Sequence, residues 1–302
     1  MKDAKRDTVL KDKPYEAKPD SRHFRALTIA LPAAFSLTFL SFCLVYGVIP
    51  GPETLVLCFF TYAAYNKRSR RFVKDWFPFL ALFLSYEAMS TMVPTLSKVV
   101  HVAEPVTMEL RLFGSIPTLV LQQLLRTPFL DYLGAIFYSL HFFAPTVFAF
   151  LLWKYAPENY RKYVLALGIG TYSALITFLA YPVAPPWYGV QATRILTQLD
   201  QNLGVPFYRG IFDFVESNPF AAFPSLHAMY PTLILLYALK IKKAKALPVL
   251  LFPIGVWLST IYLGEHYVID VIGGIAYAIC AFLLAEKIIP LVIQARAHHS
   301  AC

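Results

Sequence analysis

Charged residues are scarce in this chain. Asp, Glu, Lys and Arg make up 15% of its 302 residues, whereas ordinary soluble domains carry about 25%. Hydrophobic residues make up 58%, and several apolar runs are long enough to cross about 30 Å of hydrocarbon as helices. The sequence lacks the repeated short alternating segments that a membrane β-barrel needs. The composition therefore predicts an all-α polytopic membrane protein.

Cysteine is scarce as well, and its few copies form no metal-binding or redox motif. The four cysteines are Cys43, Cys58, Cys280 and Cys302. The first three lie in apolar runs, so they do not indicate a compartment. The net charge of +9 is compatible with nucleic acid as a partner. The basic residues, however, gather between apolar runs, and this distribution argues for orientation in a membrane and against a nucleic-acid partner.

Eight apolar runs are predicted to span a membrane. They are residues 25–49, 53–65, 76–94, 132–153, 162–182, 225–239, 247–264 and 267–287. Residues 1–24 are polar and are expected to form a disordered tail. The first run is too long for a signal-peptide core and has no clear cleavage site, so we interpret it as a span. Residues 107–125 are apolar but interrupted by two charges and a proline, and are expected to lie in the interface or dip partly into the membrane.

Basic residues predict the orientation of these spans. One set of loops, residues 66–75, 154–161 and 240–246, holds eleven Lys or Arg in 25 positions. The opposite set, residues 50–52, 95–131, 183–224 and 265–266, holds five in 84 positions. Loops rich in Lys and Arg face the cytosol. Both terminal tails are therefore predicted to be cytosolic, and His227 and His266 are expected together on the non-cytosolic face.

His227, His266 and Asp270 form the most informative polar cluster. Ionisable groups are expensive beside hydrocarbon, so such a cluster is a functional hypothesis, although a single membrane histidine is more often a packing residue. On a helix, His266 and Asp270 would share a face. The carboxylate would hold one imidazole nitrogen protonated and leave the other free to attack phosphorus. His227 would protonate the departing alkoxide and then deprotonate an acceptor hydroxyl. Ser225, at a predicted helix start, would help to seat a phosphate.

The segments that carry these residues resemble a known family. Pro224-Ser225-Leu226-His227 and His266-Tyr267-Val268-Ile269-Asp270 are similar to the second and third motifs of the type 2 phosphatidic acid phosphatase superfamily. The resemblance implies a histidine nucleophile, a second histidine as the acid, no metal or other cofactor, and a core of six transmembrane helices. That core would be residues 76–287, preceded by two extra helices in residues 25–75 and followed by a cytosolic tail, residues 288–302.

This sequence differs from the phosphatase branch because it lacks cationic residues that the motifs of that branch contain. The first motif normally has a Lys and an Arg, which are missing around residues 177–185, and Ser259-Thr260 stands where the third motif normally has Ser-Arg. The run from Tyr181 to Tyr188 reads Tyr-Pro-Val-Ala-Pro-Pro-Trp-Tyr, which is similar to the fungal inositol-phosphorylceramide synthases and related inositol phosphotransferases. A phosphate monoester carries nearly two negative charges near pH 7, whereas a diester carries one. The poorer cation supply therefore favours a diester substrate.

The leading hypothesis is a lipid phosphotransferase that moves a phosphoinositol-like group from a phospholipid donor to a lipid hydroxyl. A lipid phosphate phosphatase is the alternative, and a transporter or scaffold with the same fold is a third. His227, His266 and Asp270 are the expected catalytic residues. The candidate binding residues are Ser225, Pro186, Trp187, Tyr188 and Arg209.

Several other polar residues leave alternatives open. Lys98, Arg111 and Arg194 are, like Arg209, able to replace the missing cations if their loops fold inward. Glu265 would repel a phosphate, so it is expected to contact the acceptor or to turn away. Trp187 and Tyr188 are also typical of interfacial anchors. Within the spans, Glu87 and His141 are expected to pair with each other, to line the cavity, or to form a structural hydrogen bond.

Overall fold

The computed structural model describes residues 52–96, 99–204, 208–209 and 218–299, together with a few positions between 30 and 41. The predicted tail at 1–24 and most of the first predicted span lie outside the described residues. The helices are α1 (Pro52–Tyr65), α2 (Ser69–Ser90), α3 (Val93–Leu96), α4 (Ala103–Phe113), α5 (Pro117–Leu125), α6 (Pro128–Tyr155), α7 (Pro157–Ala180), α8 (Pro186–Gly189), α9 (Ile195–Leu203), α10 (Leu226–Lys242), α11 (Leu251–Tyr262) and α12 (Val268–His299). A 3-10 helix over Lys243–Leu250 joins α10 to α11. The predicted all-α class is confirmed.

Within the described part of the chain, four helical stretches are long and apolar enough to cross a membrane. They are Pro128–Tyr155, Pro157–Ala180, Leu226–Tyr262 and Val268–Ile288, and a shorter apolar helix covers Thr54–Tyr65. The stretch Leu226–Tyr262 is a hairpin rather than one rod, because Lys243 has a φ of +50° and the Trp257 indole of α11 donates to the Ala228 carbonyl at the start of α10, 3.4 Å away. It therefore supplies both the sixth and the seventh predicted spans. The total of eight spans stays a prediction.

Proline and capping residues explain where the long helices begin. Pro128 opens α6 and the Thr127 hydroxyl accepts from the Leu130 amide at 3.3 Å, which satisfies one of the free amides of the first turn. Pro157 opens α7 immediately after α6 ends. The residue before a proline disfavours the helical conformation, and Ala156 has φ −148° and ψ 62°, so α6 ends there and α7 packs against it.

Helix α10 lies at the centre of the bundle and packs against α6, α7, α11 and α12. Its approach to α12 is close because Gly274 carries no side chain. A Cβ there would lie 2.2 Å from the Ser225 carbonyl oxygen. At the far ends of the same helices, the Glu286 carboxylate of α12 pairs with the ammonium groups of Lys162 on α7 and Lys240 on α10. The three helices are thus tied together at the end away from His227.

The apolar stretch at residues 107–125 is not one crossing. It forms parts of α4 and α5, which have 11 and 9 residues, too few to cross hydrocarbon. Gly114 separates them with a φ of +70°, the left-handed conformation in which glycine commonly ends helices. The Gln122 side chain of α5 donates to the carbonyls of Thr193 and Tyr262 at 2.8 and 2.9 Å, so α5 is attached to the loop region beside the histidines.

Candidate active site

The two predicted histidines meet at one end of the bundle. His227 lies in the first turn of α10, and His266 lies in the loop between α11 and α12. The Nδ1 atom of His227 is 3.1 Å from Nε2 of His266, and Nδ1 of His266 is 3.7 Å from Oδ2 of Asp270. All three side chains are buried. One expectation was wrong in detail: His266 precedes α12 instead of sharing that helix with Asp270, but the loop still directs its ring towards the carboxylate.

The Asp270 carboxylate is held by the start of its own helix. Its Oδ2 atom accepts from the Tyr267 amide at 2.8 Å. This is the contact that the side chain at the third helical position makes in a capping box. The Asp270 carbonyl accepts from the Ser225 amide at 3.0 Å. The first turn of α12 is therefore joined to the residue that precedes α10, and the two histidine-bearing segments have a fixed spacing.

The loop that carries His266 is anchored to the end of α11. The amides of Glu265 and His266 both donate to the Thr260 carbonyl at 3.1 Å. Gly264 has a φ of +88°, and a Cβ there would lie 2.7 Å from the Thr193 carbonyl oxygen. Only glycine fits this turn without strain, so the local sequence directs the chain back towards His227.

Ser225 has a structural task at the start of α10. Its hydroxyl accepts from the Ala228 amide at 3.2 Å, and the side chain is fully buried. The predicted helix start is confirmed. The serine is not among the residues that line the cavity described below, and its predicted contact with phosphate stays a prediction.

A cavity of about 750 Å³ contains both histidines. Its polar end is lined by His227, His266, Glu265, Arg194 and Trp187, with Asn218 beside them. Its other end is mainly apolar and reaches α2. Pockets of this size are typical of bound small molecules, and one with both a polar and an apolar end suits an amphipathic ligand.

Arg194 is the cation that the fold brings to the cavity. Its Nε and Nη2 atoms donate to the two Glu265 carboxylate oxygens at 2.8 and 3.0 Å, and its guanidinium carbon lies 4.5 Å from the centre of the Trp187 ring. Such a two-point contact fixes the planar group in one orientation. Among the described residues, no other Lys or Arg lines this cavity.

The other candidate cations lie elsewhere. Arg209 is exposed, and its backbone amide donates to the Asp200 carboxylate at 2.7 Å. It does not line the cavity, so its binding role stays a prediction that the geometry does not support. Arg111 is exposed on α4, and Lys98 lies outside the described residues.

The Pro-Pro-Trp-Tyr element forms the short helix α8 beside the site. Pro186 is its buried first residue. Trp187 lines the cavity, and its amide donates to the Gly264 carbonyl at 3.1 Å. Tyr188 is 51% exposed, with its ring edge-on to Phe220 at 5.3 Å. Of the three residues predicted here to bind substrate, only Trp187 lines the cavity.

Aromatic rings continue the site away from His266. The His227 ring stacks on Tyr138 with centroids 4.4 Å apart, and lies 4.1 Å from the His141 ring. His141 and Glu87 both line the cavity, as one of the sequence interpretations expected. Sequence reasoning missed Tyr138. Its position one helical turn before His141 on α6 is the only signal that would have indicated it.

Sequence reasoning also missed Glu109. Its fully buried side chain on α4 accepts from the Ile269 amide at 3.1 Å through Oε1, in the first turn of α12 next to Asp270. Burial raises the pKa of Glu109 to about 7, and the nearby Asp270 charge adds to that increase. The sequence feature that could have indicated Glu109 is that it is the one acidic residue in the apolar stretch 107–125.

Comparisons with known proteins agree with the motifs. The family model described as the PAP2 superfamily matches residues 103–284. Similar relatives include the phosphoinositol dihydroceramide synthase of Bacteroides thetaiotaomicron, 30% identical over 52% of this chain and 55% of its own. The inositol phosphorylceramide synthase of Candida albicans is 30% identical over 58% and 40%, and the catalytic subunit of that synthase from Schizosaccharomyces pombe is 27% identical over 60% and 46%.

The chain spans about half the length of these relatives. No solved structure matches it significantly. Its long apolar helices agree with an integral membrane protein, and the relatives come from the branch that the Pro-Pro-Trp-Tyr element resembled. Because the family model covers more than half of the sequence, including both histidine segments, the chain belongs to the PAP2 superfamily.

Proposed function

We propose that the protein is a membrane phosphotransferase that moves a phosphoinositol-like head group from a phospholipid to a lipid hydroxyl. The observation that carries this proposal is the approach of His227 to His266 at 3.1 Å, beside Asp270, in a cavity with one polar and one apolar end. The names of the relatives support the head group, since they are a phosphoinositol dihydroceramide synthase and inositol phosphorylceramide synthases.

In the first half-reaction, Nε2 of His266 attacks the donor phosphorus. The nitrogen–phosphorus bond forms as the bond to the diacylglycerol oxygen breaks, and protonated His227 gives that oxygen its proton. The Asp270 carboxylate, with Oδ2 at 3.7 Å from Nδ1 of His266, favours the tautomer protonated at Nδ1 and stabilises the imidazolium that forms. Because Nδ1 of His227 and Nε2 of His266 are only 3.1 Å apart, the two side chains must separate to admit the phosphate group between these nitrogens.

In the second half-reaction, neutral His227 takes the proton from the acceptor hydroxyl. The acceptor oxygen attacks phosphorus, the nitrogen–phosphorus bond breaks, and His266 returns to its free state. Inositol stays on the phosphorus throughout, so the covalent intermediate is a phosphoramidate of His266 that still carries inositol as a phosphate ester, rather than a simple phosphohistidine.

The charge of the cavity supports a diester donor. Arg194 is already paired with Glu265, so the net positive charge near the phosphate is small. A monoester with nearly two negative charges would be poorly neutralised there, which disfavours the alternative of a lipid phosphate phosphatase. We also infer that the site opens on the non-cytosolic face, because the basic loops adjoin the opposite helix ends.

Purified protein supplied with phosphatidylinositol, labelled in both phosphorus and inositol, and with a ceramide tests the proposal. We expect both labels to move together to the ceramide. A trapped protein adduct should carry both labels and should be absent from His266→Ala. His227→Ala should slow both half-reactions by roughly 10²–10⁴-fold.

Phosphatidic acid serves as the comparison substrate. Release of inorganic phosphate from it, without any head-group transfer from phosphatidylinositol, would establish the phosphatase alternative instead. An adduct that still forms in His266→Ala would identify a different nucleophile.

A further inference from the structure

We propose that the cavity has a single lipid compartment on the His227 side, which holds the diacylglycerol of the donor and afterwards the chains of the acceptor, and that α2 forms the wall that selects those chains. This inference rests on the proposed transfer reaction. It adds where both lipids bind and which helix determines their chain preference.

A continuous series of rings leads from His227 to α2. The centroid distances are 4.1 Å from His227 to His141, 5.4 Å from His141 to Tyr230, and 6.3 Å from Tyr230 to Phe83. Phe83 lies 4.8 Å from Phe79. All five residues line the cavity. The wall beyond the proposed acid is therefore aromatic. On α2 its apolar part is formed by Phe79, Leu80, Phe83 and Leu84, and Glu87 and Ser90 line the cavity further along the same helix.

The Arg194–Glu265 ion pair lies on the other side, next to His266. Glu265 precedes His266 in sequence and holds Arg194, which in turn lies over Trp187. This arrangement separates the cavity by chemistry. Hydroxyl and phosphate groups fit the Arg194 side, and hydrocarbon fits the part of the α2 side that Phe79, Leu80, Phe83 and Leu84 form, because burying polar groups without hydrogen bonds costs free energy.

Reaction geometry requires the same position for both lipid oxygens. The departing diacylglycerol oxygen and the entering acceptor oxygen each lie opposite the His266 nitrogen on phosphorus, and each exchanges its proton with His227. Hydrocarbon attached to either oxygen therefore starts from the same point. The cavity of about 750 Å³ matches the volume of one bound ligand of moderate size, so the two lipids would use it in turn.

Helix α2 provides an entrance for chains as well as a wall. Leu84 lines the cavity and is 70% exposed, so the apolar end reaches the surface of the bundle. Leu80 lies one turn earlier on the same face. Residues 69–90 precede the part of the chain that the family model matches, so this wall is a feature of the chain outside that match.

Product inhibition of the wild-type protein tests whether the compartment is shared. With one compartment, added diacylglycerol and the acceptor compete for the same covalent intermediate. We expect inhibition by diacylglycerol to be competitive against the acceptor and noncompetitive against phosphatidylinositol. The reverse pattern would show separate lipid sites and overturn the inference, although head-group transfer itself would stand. Absence of any transfer would instead refute the proposed function.

The role of α2 is tested by measuring the activity of the Phe83→Ala variant with donor and acceptor lipids of increasing chain length. The enlarged compartment should favour longer chains by about fourfold for each methylene that gains contact, and the shift should appear for donor and acceptor alike. Phe143→Ala is the matched control, because Phe143 lines a separate apolar crevice with Leu140 and Val147.

Leu84→Trp gives a second measurement at an exposed position where folding is not at stake. It should narrow the entrance and favour shorter chains of both substrates. An active Phe83→Ala or Leu84→Trp protein with wild-type chain preferences, or with a shift for one substrate only, would contradict the shared compartment bounded by α2.

Discussion

At the scale of single residues, Arg194 and Glu265 place opposite charges beside the proposed nucleophile. Glu265 is buried and the Arg194 side chain is 22% exposed. Replacing only one member of a buried ion pair lowers stability, because the charge of the other member remains buried after its ion pair is lost. The pair also presents the one guanidinium of the described cavity wall in a fixed orientation, ready to contact a phosphate oxygen.

Arg194→Gln should lower kcat/KM for phosphatidylinositol by roughly 10- to 100-fold, the loss of one charged hydrogen bond. It should also lower stability by up to about 3 kcal/mol, because the buried Glu265 carboxylate loses its ion pair with Arg194. The double variant Arg194→Gln/Glu265→Gln separates these effects, since stability should recover and activity should not. Thermal unfolding and steady-state kinetics in detergent measure both. Recovery of activity in the double variant would show that Arg194 acts only as a partner for Glu265.

Glu109 predicts a pH dependence of stability. Burial raises its pKa from the ordinary value of 4.5 to about 7 in the folded protein. The folded state therefore binds more protons between these values, and the free energy of unfolding falls as pH rises through that window and stays low above it. Glu109→Gln keeps an acceptor for the Ile269 amide but cannot ionise. It should remove this fall and stabilise the protein at pH 8 by on the order of 1–3 kcal/mol.

Unfolding midpoints measured from pH 5 to pH 8 check this expectation. Glu104→Gln is the matched control on the same helix: Glu104 is exposed, and its hydrogen bond to His101 lowers its pKa instead. Glu109→Gln with the wild-type pH slope would show that Glu109 is ionised in the folded protein throughout this range.

At the scale of helices, the site depends on the close packing of α10 against α12. Three contacts at this junction involve Ser225: its hydroxyl caps α10, its amide donates to the Asp270 carbonyl, and its own carbonyl faces Gly274. The two helices that carry His227 and Asp270 are thus positioned by backbone contacts, which do not relax as side chains do.

Gly274→Ala should push these helices apart, because its Cβ would lie 2.2 Å from the Ser225 carbonyl oxygen. We expect a loss of about 1–3 kcal/mol and a fall in turnover as His227 moves from His266. In the control variant Gly134→Ala, the added Cβ would lie 3.4 Å from the nearest atom, on the Leu263 side chain, and stability should be nearly unchanged. Equal stability of the two variants would contradict the close approach. Thermal unfolding and kcat are the measurements.

At the scale of the whole molecule, the bundle has two chemically different ends. One end holds the histidines and α8. The other holds the 3-10 helix with its lysines and the contacts of Glu286 with Lys162 and Lys240. Basic residues remain preferentially on the cytosolic side of a membrane, so this polarity supports the proposed orientation of the site.

Cysteine labelling tests that orientation. In a background in which Cys43, Cys58, Cys280 and Cys302 are replaced, Tyr188→Cys should react with an impermeant maleimide on the non-cytosolic face. Lys245→Cys, which is also at an exposed position, should react only from the cytosolic side. The opposite pattern would reverse the proposed topology without affecting the fold.

Local patterns in the sequence were enough to predict the long apolar helices and to single out His227, His266 and Asp270, which the fold brings together. Apolar runs and their lengths are properties of consecutive residues, and the partition of side chains between water and hydrocarbon acts on them directly. The Pro-Ser-Leu-His and His-to-Asp motifs are each a short continuous segment. Their chemistry could therefore be inferred from the sequence before any tertiary contact was known. Charge in the loops was sufficient to expect both histidines at one end.

Tertiary structure decided which of several equivalent residues reach the cavity. Arg194 lines it and Arg209 does not, although both belong to the same long stretch between spans. Glu109 contacts Ile269 across 160 positions, and α2 joins the cavity through Tyr230 and Phe83. Such contacts depend on how separate helices and loops pack, and no local period or spacing encodes them. The sequence therefore specified the helices and their reactive groups, and packing determined the charge, shape and lipid-facing wall of the site.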